Sequence, residues 1–259
     1  MPAYRRWEFT PFERHSPQDF SIHMSPIAPR TEYRLLRHHL PLALGTALAL
    51  LAAYSYVGQE SDDALFIWSM ATAYVATALL SATLLTGPIN VLRGRRNPVS
   101  TDLRRDIGIW AAVVGLAHVV VGLQVHFRGR MWMYFVREVE ETAELVLRAD
   151  LFGFANYTGL LATLILLLLL ALSNDFSLKR LKAGRWKALQ RWNYGLVLLV
   201  VLHGAAYQLI EQRRVSYVVL LSLLVATTLL VQLAGFRQRR RRTEISPSAV
   251  NPEGAPLQA

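Results

Sequence analysis

Residues 160–172 are apolar almost without a break, with a single threonine among leucine, isoleucine and alanine. Such a run is too long for a strand and has no polar face, so it reads as a helix buried all round. With its flanks, 151–173, it reaches the roughly 20 residues that cross a bilayer core. The composition agrees. Hydrophobic residues make up 53% of the 259 and charged residues only 18%, against about 25% charged in a typical soluble domain. The net charge of +10 leaves two classes, a nucleic-acid binder with a large core or a membrane protein, and the apolar run decides for the membrane. No cysteine is present. That rules out a disulfide scaffold, a thiolate metal site, an iron–sulfur centre and a cysteine nucleophile.

A 20-residue window finds six spans: 40–58, 64–86, 107–127, 151–173, 193–211 and 215–235. The predicted fold is all-α, a polytopic six-helix membrane bundle without an internal repeat. Lys and Arg set its orientation, because cytoplasmic joints carry the excess. The leading arm, the joints after spans two and four, and the tail together hold 22 basic residues; the other side holds 6. Both termini are therefore expected in the cytoplasm, with the protein multi-pass in the cell inner membrane. Residues 1–39 hold five prolines and no apolar signal core, and read as an irregular cytoplasmic arm rather than a cleavable signal. Residues 236–259 read as a basic, then disordered, tail. Its Arg239 to Arg242 run suits anionic lipid; no aromatic interleaving points to nucleic acid. In the outer joint 131–148, Trp132, Phe135, Val136, Val139, Ala143 and Val146 recur at spacings of three and four, with glutamates between. This predicts an amphipathic helix at the outer interface, a cap on the bundle or a docking face.

Two of the seven histidines lie inside hydrocarbon, where polar groups are costly and usually functional. His118 in span three and His203 in span five each fall one residue beyond mid-span on the outer side. Two imidazoles at one depth can ligate one metal from opposite sides, and histidine is a standard haem axial ligand. Gly115, Gly122, Gly204, Ala205 and Ala206 stand beside them, leaving room for a flat macrocycle or allowing close helix packing. A proton or ion site and structural histidines remain open on this pattern alone. His126, eight residues past His118, lies about 12 Å further out along a helix. With Arg128 and Arg130 it suits haem propionates or a quinone headgroup, or simply an interface in contact with water.

Two stretches carry a resemblance. One is Leu84-Leu85-Thr86-Gly87-Pro88, then an arginine-rich joint, then Leu103-Arg104-Arg105-Asp106-Ile107-Gly108-Ile109, with His118 following. The other is Arg185-Trp186-Lys187-Ala188-Leu189-Gln190-Arg191-Trp192-Asn193-Tyr194, running on to His203. Over roughly 64–233 the chain resembles the ferric reductase-like transmembrane domain family. Its nearest likeness is to the haem-binding membrane subunits that serve periplasmic methionine sulfoxide reductases. The resemblance implies that His118 and His203 are the outer axial ligands of a haem b. Members with a second, inner haem place further ligands at the positions of Arg104 and Gln190. Neither residue is a histidine, so one non-covalent haem is expected.

No glycine-rich phosphate loop follows a strand, and the joints are too short for a flavin or nicotinamide domain. Electrons are therefore expected from quinol or a separate flavoprotein, and are expected to leave to an outer-side redox partner. Arg104, Arg105, Arg185 and Arg191 line the expected inner mouth. They suit topology, or a quinone, a flavin phosphate or haem propionates, and Gln190 suits a quinone carbonyl. The competing readings are a non-redox transporter and a structural membrane subunit. A transporter's helix breaks and paired intramembrane charges are missing from the middles of spans three to six.

Overall fold

The computed structural model describes residues 30–95 and 101–245. Six of its helices are long and apolar enough to cross a membrane, so the all-α, multi-pass architecture stands. A short helix α1 (Arg30–Arg34) passes through a π-helical turn (Leu35–His39) into α2 (Leu40–Val57). Then follow α3 (Ala64–Leu92), α4 (Thr101–Gly122), α5 (Leu151–Ala171), α6 (Asp175–Gln190), α7 (Trp192–Ile210) and α8 (Val215–Ile245). The bundle has a basic end, which carries α1, α6 and the close of α8, and an opposite end where α4 leads into α5.

α3 is the central post, packed on α2, α4 and α8, while α5 pairs with α7. Leu80, Ala111, Ala162, Ile165 and Leu196 join α3, α4, α5 and α7 in one core cluster. Leu161, Leu164 and Leu168 on α5, and Leu223 and Leu230 on α8, stay exposed, as a lipid-facing surface must be. Pro88 shows how hydrocarbon constrains the backbone. It lies inside α3 and has no N–H, so the carbonyl four residues back loses its donor. That carbonyl belongs to Leu84, and Gln232 Nε2 of α8 donates to it at 2.9 Å. One turn on, Gly235 brings α8 against the proline: a Cβ there would stand 2.7 Å from Pro88 Cβ.

Three expectations change. The outer joint is not an amphipathic helix. A short 3₁₀ turn (Met131–Tyr134) leads into an antiparallel hairpin of β1 (Val136–Glu138) and β2 (Leu145–Leu147), with Val136 opposite Leu147 and Glu138 opposite Leu145. A helix would bring Glu138 beside Glu141 and Glu140 beside Glu144, pairs of like charge at i+3 and i+4. The β-branched Val136, Val139 and Val146 suit a strand. The second change concerns the irregular arm, which gives way to helix from Arg30; its 1–29 part lies outside the described residues. The third concerns the tail, where α8 continues to Ile245 and carries the arginine run. The expected disorder of 246–259 also lies outside the described residues.

The helical start matters because of Asp106. This carboxylate is fully buried on α4 and is clasped by the Arg34 guanidinium, by His38 Nδ1 at 2.7 Å and by His39 Nε2 at 3.5 Å. The π turn brings these residues to one side and straps the N-terminal helix onto α4. Nearby, Arg105 bridges to Asp175 at the start of α6.

Replacing Gln232 with Leu strands the Leu84 carbonyl, and should cost about 1–3 kcal/mol in detergent-solubilised protein followed by thermal unfolding. Gln232→Asn should lose part of that, because its shorter arm reaches less far.

Candidate cofactor site

α4 and α7 carry His118 and His203 into one cavity of about 270 Å³ bounded by α3, α4, α5 and α7. That is near the lower end of small-molecule pockets, roughly 300–1,000 Å³. Each ring is fixed by a backbone carbonyl of a neighbouring helix. His118 Nδ1 lies 3.0 Å from Ser69 O on α3, and His203 Nδ1 lies 2.7 Å from Ala155 O on α5. A carbonyl only accepts, so both Nδ1 atoms carry the proton and both Nε2 atoms keep their lone pairs. Metal-ligating histidines are commonly oriented in this way, by a carbonyl on the other ring nitrogen.

The ring centroids are 6.2 Å apart, with the planes at 79°. With metal–nitrogen bonds of about 2 Å and about 1 Å more from each nitrogen to its ring centre, one metal between two imidazoles sets the centroids about 6 Å apart. Among the described residues no group of three or more His, Asp or Glu side chains gathers to hold an ion. Two imidazoles at this separation suffice only for a metal that brings its remaining ligands with it, and a haem iron does so. The donor set fits that group.

The depth differs from the simple mid-span estimate. α4 ends at Gly122, so His118 lies about 6 Å from its end, and His203 lies about 10 Å from the end of α7 at Ile210. The site is therefore in the half of the bundle nearer the hairpin. Because α4 stops early, His126 is not on a helical continuation of it. It lies in the following turn and lines the mouth of the same cavity. Its Nε2 is 3.1 Å from Glu211 Oε1, and its ring stacks on Tyr207 with centroids 6.4 Å apart. Tyr134 secures this turn by accepting from His126 N and donating to Gly122 O at 2.8 Å. Burial pushes its phenol up from the ordinary value, which keeps the donated proton in place.

Arg128 and Arg130 do not join His126 at the cavity. Arg128 is exposed and pairs with Asp63 at 2.9 Å, and Arg130 is exposed at the start of the 3₁₀ turn. Arg104 is exposed in the first turns of α4, and Gln190 is half-buried at the last residue of α6. Both stand at the basic end, away from the histidine cavity.

Gly115, Gly122 and Gly204 do line the cavity. A Cβ at Gly115 would meet Leu166 at 3.0 Å and one at Gly204 would meet Leu221 at 3.3 Å, so those two serve close packing of the walls. The glycine that matters to a ligand is Gly159 on α5, which the sequence did not single out. A Cβ there would stand 2.7 Å from His203 Nδ1 and 2.9 Å from its Cε1. Gly159 lies one turn past Ala155, so the helix that fixes His203 also clears space for it. Arg213 was also missed, because it reads as one of a few outer charges; it reaches the cavity wall. Burial there lowers its pKa from the ordinary guanidinium value, with Glu211 opposing.

Gly159→Ala should push His203 off the Ala155 carbonyl and cost about 1–3 kcal/mol of stability by overpacking, measured as a lower thermal midpoint in detergent. Gly45→Ala, where nothing lies within 4 Å of the added methyl, serves as the control and should not lower it.

No curated protein matches the chain. The family described as "Ferric reductase like transmembrane component" matches over residues 72–201. That stretch is narrower than the 64–233 resemblance; it contains His118 and stops just short of His203. The match covers half of the protein, from within α3 to within α7, and the chain belongs to the ferric reductase-like transmembrane component family.

Proposed function

We propose that this protein is a membrane-embedded b-type cytochrome, a subunit that carries electrons through one non-covalent haem b to an acceptor beyond the hairpin end. The observation that carries the reading is the pair of imidazoles, His118 and His203, in one cavity with centroids 6.2 Å apart and each Nδ1 committed to a carbonyl. Family membership supports a membrane redox role in general. Haem would supply the one-electron couple. His118 and His203 would be its axial ligands. Ser69 O and Ala155 O hold the rings in the ligating tautomer, Gly159 gives His203 clearance, and Leu80, Ala162 and Leu196 keep the surroundings dry.

The basic end then faces the cytoplasm of a cell inner membrane, as the charge rule indicates, and the hairpin faces outward. The donor is quinol or a separate flavoprotein, and the acceptor is an outer redox partner such as a methionine sulfoxide reductase. Arg104 and Gln190 lie at the basic end, where Gln190 could hydrogen-bond a quinone carbonyl and Arg104 could hold an anionic donor group. His126, held by Glu211 and Tyr207, takes a place at the outer mouth rather than on the iron.

Purified protein should show a Soret band that moves on adding dithionite; a colourless preparation defeats the reading. His118→Ala and His203→Ala should each abolish the band, whereas His126→Ala should leave it. Orientation is checked separately, and the absence of cysteine makes that simple. A lone cysteine at Arg128→Cys should react with a membrane-impermeant maleimide on intact cells. One at Lys179→Cys should react only after the membrane is opened, and the reverse pattern would invert the assignment.

A further inference from the structure

Near the histidines, one guanidinium lines the cavity without an ion-pair partner among the described residues. Arg213 lies in the link between α7 and α8. The preceding residue, Gln212, has a φ of 44°, a left-handed conformation that a non-glycine side chain adopts only where its surroundings impose it. After that turn the two arginines part. Arg214 reaches outward to Glu60 Oε1 at 2.9 Å. Arg213 folds inward against the thioether of Met70 and over the Phe66 ring, 5.2 Å from its centroid.

A thioether is a weak acceptor, and a phenyl face is a modest partner for a cation. The nearest acid in the chain, Glu211, has its Oε1 on His126 at 3.1 Å. Among the described residues no carboxylate forms an ion pair with Arg213. A half-buried cation so placed is costly unless an anion meets it. Its level is telling. Met70 directly follows Ser69, whose carbonyl fixes His118, so the guanidinium and the His118 ring rest on consecutive residues of α3 and line the same cavity. Haem carries two carboxylates on one edge, and these need a cationic partner to lie in a protein interior.

We propose that Arg213 is the partner of the propionate carboxylates of the bound haem and sets that edge toward the hairpin end. This rests on the bis-histidine reading above. It replaces Arg128 and Arg130 in that role, since both stay away from the cavity. Guanidinium suits the task because it meets a carboxylate with two parallel hydrogen bonds.

The test uses the full-length, haem-loaded protein in detergent and follows haem loss to excess apomyoglobin in the Soret band. Arg213→Gln should release haem about tenfold faster or more, the equivalent of one lost charge-assisted hydrogen bond. Arg213→Lys should fall between, and Arg214→Gln should match the wild type. Protein loaded with the dimethyl ester of haem, whose carboxylates are blocked, should show no difference between wild type and Arg213→Gln. The proposal is overturned if Arg213→Gln leaves the release of haem unchanged, or speeds release of haem and ester equally. If Arg213→Gln does not fold, the wild type alone decides: it should hold haem more tightly than the ester, and equal retention overturns the proposal. A wild type that binds no haem at all overturns the bis-histidine reading, and this proposal with it.

Discussion

The hydrogen bonds from His118 to Ser69 O and from His203 to Ala155 O organise the centre of this molecule. Each ties a ring on one helix to the backbone of its neighbour, α4 to α3 and α7 to α5. They commit each Nδ1 to a carbonyl and leave each Nε2 free of that bond beside one shared cavity. A side-chain anchor could change rotamer, whereas a carbonyl within a helix cannot move without the helix. The placement of the two rings is therefore as rigid as the packing that supports it.

The same rule, that a polar group in hydrocarbon must find its partner inside the protein, explains the features away from the histidines. Pro88 releases the Leu84 carbonyl and Gln232 takes it. Asp106 is fully buried and gathers Arg34, His38 and His39. Arg213 departs from this pattern: it rests on a thioether and an aromatic face, and forms no ion pair among the described residues.

Several parts of this architecture were legible because a single physical quantity decides them. Span length follows from bilayer thickness, so all six spans were found, although the helices run past several of the estimated ends. The hairpin was misread because residues 136–147 are short enough to satisfy a three-and-four spacing and a two-residue alternation at once. The choice between them depended on glutamate repulsion and strand pairing. His38 and His39 fall in the stretch that reads as an irregular arm, and the partner that gives them a role lies about seventy residues away on α4.

By itself the sequence determined that the chain holds six membrane spans, that its basic residues concentrate at one end, and that two histidines lie within those spans. Hydrophobic length, charge asymmetry and helical rise are local properties, and they need no knowledge of neighbours. Only the tertiary structure decided which ring nitrogens are tied to carbonyls, that Gly159 clears space for His203, and that Arg213 rather than Arg128 or Arg130 lines the cavity. Those facts depend on contacts between helices and on one left-handed turn at Gln212, and side-chain direction across such a turn is not written in residue spacing.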